Sequence, residues 1–280
     1  MTVAEVERVQ YRPGLYPNLS RAEYEAIPAI NASVLEHFER SAAHAREAML
    51  HPPKPTDAME FGTALHVAVL EPARFSREYV AAPKCDRRTK VGKETWAAFE
   101  AEHRGAQLMD AEDFIAICRM RDAVWSHPVA KELLRGPGHN EVAVVWENEE
   151  TGLLCKALLD RIGSFDGWTW IPDLKSTGDA SPREFSYSIK RYHYGAKAAY
   201  YLDGCNTVAP RPRRFCWIAI EKEPPYAVAL YEPTDDAINA GRSKYMRWLR
   251  LYEEAQRTNH WPGYETSIQP LGAESTEWYA

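Results

Sequence analysis

The stretch Trp170-Ile171-Pro172-Asp173-Leu174-Lys175-Ser176-Thr177 is a short apolar run that delivers one carboxylate and, two residues later, one ammonium. Side chains alternate along a strand, so Asp173 and Lys175 point to the same face. Upstream, Asp160 closes the apolar run Ala157-Leu158-Leu159, and Glu141 opens another at Val142-Ala143-Val144-Val145-Trp146. Three acids on three successive strand-like segments can therefore converge, and the chemistry they suit is metal-dependent attack on a phosphodiester. That reaction needs a hydroxide at neutral pH, charge compensation at a crowded phosphorus and help for the departing alkoxide, all of which divalent ions supply. Magnesium prefers oxygen ligands, and Glu141, Asp160, Asp173 and the carbonyl of Leu174 form an adequate cage. Lys175 would orient the attacking water or stabilise the charge of the transition state. Each residue alone also has a plainer reading. Asp160 beside Arg161 fits a surface ion pair, and Asp-x-Lys is common at strand ends.

The elements that must position these groups follow from periodicity. Residues 1–29 contain Pro13, Pro17 and Pro28 and few periodic apolar positions, so they read as an arm over the body of the domain. Ser33-x-x-Glu36 matches a capping box, with Asn31 as the other candidate cap, for a helix over residues 32–49. The prolines at 52, 53 and 55 break it, and a second helix from Met59 to Leu70 ends at Pro72. Residues 83–94 are polar and basic and read as a mobile loop, followed by helices over 95–104, 111–125 and 128–135. At Glu141 the period changes. Strands over 141–146 and 153–162 flank a turn-rich Asn148–Gly152, and Asp166-Gly167 leads into a strand over 168–174. Ser181-Pro182 opens a helix, residues 194–202 give another, and strands over 215–221 and 227–232 complete a mixed sheet of about five. A last long helix starts after Thr234 as N-cap. The fold class is thus α/β (α+β), with a helical first half. Residues 1–29 form the arm and 30–265 a single domain, mainly helical over 30–140 with the catalytic sheet and helices over 141–265. Residues 266–280 form a tail.

Composition sets limits. With 45% hydrophobic residues in 280, the chain can bury a sizeable core. Its 34 basic and 40 acidic residues give a net charge of -6, so any polyanion must be held by a local basic patch rather than by overall charge. The five cysteines are odd in number and lack C-x-x-C spacing, which argues against a zinc ribbon, a disulfide framework or a clustered iron–sulfur site and favours a reducing cytoplasm. No leader and no apolar run of membrane-spanning length stand out, so no membrane partner is expected.

The order Glu, then Asp after a hairpin, then Asp-x-Lys on the next strand resembles the metal-dependent PD-(D/E)XK nucleases, whose restriction-endonuclease-like core the chain is expected to share. Pro172-Asp173 even keeps the proline of that name. Four blocks narrow the likeness to the exonuclease VIII (RecE-like) branch. They are Glu60-Phe61-Gly62-Thr63-Ala64-Leu65-His66 with Leu70-Glu71-Pro72; Arg87-Arg88-Thr89-Lys90 with Gly92 and Trp96; Thr151 to Ala157 with Asp160; and Asp173 to Thr177. The similarity runs over residues 15–265. It implies that His66, Glu141, Asp160, Asp173 and the Leu174 carbonyl hold metal, magnesium with manganese as a substitute. Lys175 would be catalytic together with Asp173 and Glu141. One position departs from the pattern. The family's helix after the catalytic strand carries Gln-x-x-x-Tyr, and here Lys197 stands where glutamine is expected, one turn before Tyr201.

Arg87, Arg88, Lys90 and Lys93 form the densest basic segment before the sheet, and they read equally well as phosphate contacts and as a solvated loop. Lys197 and Tyr201 are further DNA-binding candidates. The resemblance implies a double-stranded DNA exonuclease of 5′-to-3′ polarity that leaves 3′ single-stranded tails for phage-type recombination in a bacterial host cell. It also implies a closed homo-oligomeric ring around a DNA end and a single-strand annealing protein as partner. The alternatives are a structure-specific or single-strand endonuclease of the same superfamily, or a catalytically silent DNA-binding protein on that fold.

Overall fold

The computed structural model of the protein describes residues 11–52 and 54–270. Residues 1–10 of the expected arm and 271–280 of the expected tail lie outside the described residues, as does Pro53. The elements in chain order are β1 (Gly14–Tyr16), α1 (Arg21–Ala26), α2 (Ala32–Leu35), a 3₁₀ turn (Glu36–Glu39), α3 (Ala42–Leu50), α4 (Asp57–Leu70), α5 (Pro72–Glu78) and β2 (Tyr79–Ala81). Next come α6 (Lys90–Glu102), β3 (Gln107–Met109), α7 (Ala111–Ser126), α8 (Pro128–Arg135), β4 (Gly138–Glu147), β5 (Leu154–Phe165) and β6 (Trp168–Thr177). The chain continues through α9 (Pro182–Arg191), α10 (Tyr194–Val208), β7 (Arg213–Glu221), β8 (Val228–Tyr231) and α11 (Asp235–Thr258).

A six-stranded sheet in the order β1-β4-β5-β6-β7-β8 forms the centre. Neighbours are antiparallel except β6 and β7, which run parallel because α9 and α10 carry the chain across between them. Along β6 the side chains alternate between two buried faces. Ile171 joins a cluster with Trp146, Tyr200, Trp217 and Trp248 on the face covered by α10 and α11, whereas Trp170 and Leu174 join Leu65, Val69, Phe75 and Met120 beneath α4, α5 and α7. Helices on both faces are why β6 and β7 read as nearly continuous apolar runs. The close crossing of α10 and α11 requires glycine at 241, where a Cβ would stand 2.3 Å from the Gly195 carbonyl oxygen.

Four expectations need correction. The sheet has six strands rather than about five, because Gly14–Tyr16 of the arm adds an edge strand with Leu15 opposite Val144. The helix over 32–49 is broken: Asn31, not Ser33, caps its start by accepting from Val34 N at 2.9 Å, and Ser41 caps a new helix. Asn31 has extended backbone and can cap, while Ser33 already lies inside the helix. The basic stretch 83–94 is helical from Lys90, since Thr89 caps α6 by accepting from Gly92 N at 3.0 Å. A small parallel sheet, β2 with β3, was not anticipated.

The arm is fastened by a buried cation. The Lys156 ammonium on β5 donates to the carbonyl oxygens of Tyr24 (2.9 Å), Glu25 (3.1 Å) and Ile27 (2.8 Å), the last carbonyls of α1 and its cap. A helix leaves its last carbonyls short of intrahelical donors, and Lys156 supplies one to each of these three, Tyr24 O also accepting from Ile27 N and Ile27 O from Ala29 N. Beneath it, Tyr24 and Ile27 cover Ala143 and Val145 of β4.

Candidate active site

β6 keeps two different edges. Toward β7 its ladder is continuous from Thr169 to Thr177. Toward β5 the ladder runs only from Trp168 to Trp170, and continued along the strands the same register would set Asp160 opposite Asp173. There a side chain replaces the missing backbone partner, as Leu174 N donates to Asp160 Oδ2 at 2.7 Å. On the other side of β5, Glu141 sits between the paired positions Asn140↔Arg161 and Val142↔Leu159, hence across from Asp160. Its backbone is left-handed, with φ 50°, an uncommon conformation for a residue that carries a Cβ. The three acids thus occupy one row across β4, β5 and β6.

α4 brings His66 to this row from the helical layer above. Its Nδ1 lies 3.1 Å from Asp160 Oδ1 and its Nε2 3.1 Å from the Leu174 carbonyl oxygen. Both neighbours are acceptors, so a doubly protonated ring satisfies both. Burial opposes that charge, yet the Asp160 carboxylate outweighs it and raises the His66 pKa. Burial likewise opposes the Asp160 charge, but His66 and Lys175 hold its pKa below the usual carboxylate range. Lys175 pairs with Asp173, donates to the Leu174 carbonyl at 3.2 Å and lies 5.2 Å from the centre of the Tyr194 ring. Burial raises the Asp173 pKa more than Lys175 lowers it, and Lys175 itself is raised by the two aspartates against its own burial. Glu141 is pushed up to about 7, first by burial and then by the Asp160 charge.

A divalent cation fits this donor set. Ligand atoms of His66, Glu141 and Asp160 all lie within 4.8 Å of one another, and the Leu174 carbonyl already faces His66. The raised Glu141 carboxyl marks a place that would hold two negative charges only with a positive one between them. Asp173 stands outside that mutual set and is engaged by Lys175.

The expected site residues divide into two groups. His66, Glu141, Asp160, Asp173, Leu174 and Lys175 come together as described. Lys197, on α10, makes an ion pair with Glu36 at 2.8 Å, and Tyr201 is half-buried one turn along the same helix. Arg87 stacks over Trp96 at 4.1 Å, Arg88 pairs with Asp86 at 3.0 Å, and Lys90 approaches Glu94 at 3.9 Å. Among the described residues none of these three bonds a member of the acidic row. The surface ion pair between Asp160 and Arg161 is absent. Arg161 is buried and donates to Leu133 O (3.1 Å), Asn140 Oδ1 (2.6 Å) and Gly136 O.

Sequence reasoning missed Asn140 and Tyr194 as neighbours of the site. Asn140 links Arg161 to the last turn of α4 by donating to Leu70 O at 2.7 Å, and so joins the helix of His66 to the strand of Glu141. Only its adjacency to Glu141 signals this. Tyr194 touches Lys175 across two elements, for which no local pattern exists.

No curated protein matches the chain. Among solved structures, a candidate exonuclease from Eubacterium rectale superposes with a TM-score of 0.61 at 12% identity, covering 92% of this chain and 97% of that one. At that identity the likeness speaks for the fold alone. The protein SSO0001 (TM-score 0.29, 16% identity, 59% of this chain and 70% of that one) and the protein VC1899 from Vibrio cholerae (0.22, 10%, 87% and 62%) are too distant to carry an argument. The family model described as a PDDEXK-like domain of unknown function (DUF3799) matches residues 31–270, and with its acidic row at a forked sheet the chain belongs to that family.

Proposed function

We propose that the protein is a divalent-metal-dependent deoxyribonuclease and, more finely, a magnesium-dependent exonuclease that digests duplex DNA from 5′ ends and leaves 3′ tails. The observation that carries the reading is the convergence of His66, Glu141 and Asp160 within 4.8 Å beside the Asp173–Lys175 pair. His66, Glu141, Asp160 and the Leu174 carbonyl, with Asp173 adjacent, would hold a magnesium or manganese ion, which would supply a nucleophile at neutral pH and charge neutralisation on the phosphate. The chain's own groups do the rest. Lys175 is fixed by Asp173 and by the Leu174 carbonyl, so its one remaining hydrogen is aimed rather than free, and it orients water or donates to the phosphate. Glu141, whose pKa burial and the Asp160 charge raise in the metal-free chain, would be returned to its ionised form by a cation beside it.

The polarity, the closed ring of identical subunits around a duplex end and the annealing partner in phage-type recombination rest on the resemblance to RecE-like enzymes. The structural neighbour described as a candidate exonuclease agrees in fold. The test is incubation of the full chain and of Asp173→Ala with magnesium and linear duplexes labelled at either end. The reading expects mononucleotides released first from the 5′ label by the wild type alone; equal inertness of the two proteins would reject it. One observation favours a second reading, duplex binding without cleavage: Lys197 stands at the family's glutamine position and is committed to Glu36. Duplex retention with no magnesium-stimulated cleavage would support that alternative.

A further inference from the structure

The junction of α9 and α10 carries an aromatic stack that the reaction above does not use. Tyr192 stacks on Tyr194 with ring centroids 5.6 Å apart and an interplanar angle of 27°. Tyr194 in turn touches the Lys175 ammonium. From the partly buried acid row a continuous path of contacts therefore runs to Tyr192, which is 48% exposed. The Arg191 guanidinium lies 5.6 Å from the Tyr192 ring centre, and nearly half of the tyrosine stays open to solvent.

The helix leading to this junction has two unlike faces. Phe185 anchors the inner one, stacked on Tyr231 at 5.2 Å. Arg183, Tyr187, Lys190 and Arg191 are all exposed, and Tyr187 lies one turn from both Arg183 and Arg191. Among the described residues neither Lys190 nor Arg191 has an acidic partner, and Arg183 has only the loose neighbour Glu184 at 3.8 Å. Open aromatic faces interleaved with unneutralised cations suit a chain of planar bases on a phosphate backbone. Bases inside a duplex already stack on each other, so a strand that can use Tyr192 must be unpaired there.

We infer that Tyr192, with Tyr187, Lys190 and Arg191, is a stacking platform for a single nucleic-acid strand beside the acidic row. This rests on the nuclease reading and deepens it, because it assigns the site a separated strand as substrate or product. A second copy of the chain fits the patch less well, since its cations would need an acidic counterpart and its open rings an apolar one.

The test measures binding apart from cleavage. The full chain, Tyr192→Ala and Tyr192→Phe are titrated in EDTA against a fluorescent oligothymidylate and against an abasic strand of the same length. Loss of one base–aromatic stack should weaken oligothymidylate binding by about tenfold in Tyr192→Ala. Tyr192→Phe should bind like wild type, and the abasic strand should not distinguish the proteins. Tyr187→Ala, expected to lose affinity in the same sense, serves if Tyr192→Ala does not fold. Equal binding of oligothymidylate by wild type and both alanine variants would overturn the inference, as would no binding by wild type or an equal loss on the abasic strand. A change of oligomer mass with strand binding intact would assign the patch to contact between copies and overturn it too. Cleavage assayed separately with magnesium decides the nuclease reading, so either idea can fail without the other.

Discussion

Two lysines on neighbouring strands, Lys156 buried and Lys175 partly so, show how one residue type is given opposite work. Lys156 on β5 is held by three backbone carbonyls of the arm, and with no carboxylate among them burial pulls its pKa down. Lys175 on β6 is held by Asp173 and a single carbonyl, and the two aspartates raise its pKa in spite of burial. The first cation consumes its hydrogen bonds in fastening a helix end to the sheet. The second keeps a donor in reserve, on a strand edge where Asp160 has replaced the ladder. Stability and chemistry are thus separated by what surrounds each ammonium, carbonyls alone in one case and carboxylates in the other.

The largest effect should come from the second lysine. Lys175→Met removes the donor aimed into the row, and metal-dependent cleavage of linear duplex should fall by about 10² to 10³, the usual cost of one transition-state donor. Manganese binding should persist, because Lys175 supplies no ligand. Unchanged cleavage would erase the distinction between the two lysines.

Lys156→Met should do the reverse. Three hydrogen bonds are lost, although Tyr24 O and Ile27 O keep a backbone N–H, so urea unfolding should register a cost of roughly 2–4 kcal/mol, and amide exchange should quicken across residues 21–26. Cleavage per folded molecule should stay close to wild type. If Lys156→Met instead lost activity at full stability, the arm would belong to the site.

A smaller, pH-dependent effect sharpens the electrostatic side. The Glu141 pKa is raised from an ordinary 4.5 to about 7, so the fold favours its neutral form. That contribution to stability is fully present below 4.5 and is lost as pH rises through 7. Glu141→Gln stays neutral throughout, so in EDTA its stability relative to wild type should improve between pH 4.5 and pH 8 by roughly 2–3 kcal/mol. The same variant should lose the rise in melting temperature that manganese gives the wild type. A difference independent of pH would show that Glu141 is not held in the neutral form.

Much of this arrangement is legible in the chain, and the illegible part has a physical cause. Asp173 and Lys175 declare a shared face through strand alternation, and the apolar runs at 142–146, 157–159 and 215–220 mark central strands. Thr234 as a cap and the long last helix also follow from local chemistry. What local pattern hides is tertiary cover. Lys156 alternates with apolar neighbours and reads as solvent-facing, until the arm closes over it. Gly14–Tyr16 lies between Pro13 and Pro17 and becomes a strand only because β4 offers an edge. Arg161 looks like a partner for Asp160 but turns instead to Asn140 and the α8–β4 turn, leaving Asp160 to His66 and Leu174 N. The left-handed backbone at Glu141 has no sequence signature either, since glycine, the residue that tolerates it best, is not used there.

The central claim is that folding builds a divalent-cation site at the fork between β5 and β6. Crystals grown with manganese and measured at its absorption edge test it most directly. Anomalous density is expected among His66, Glu141, Asp160 and the Leu174 carbonyl, with Asp173 at its border and Lys175 alongside. Density confined to other acids, or none at saturating manganese, would contradict it.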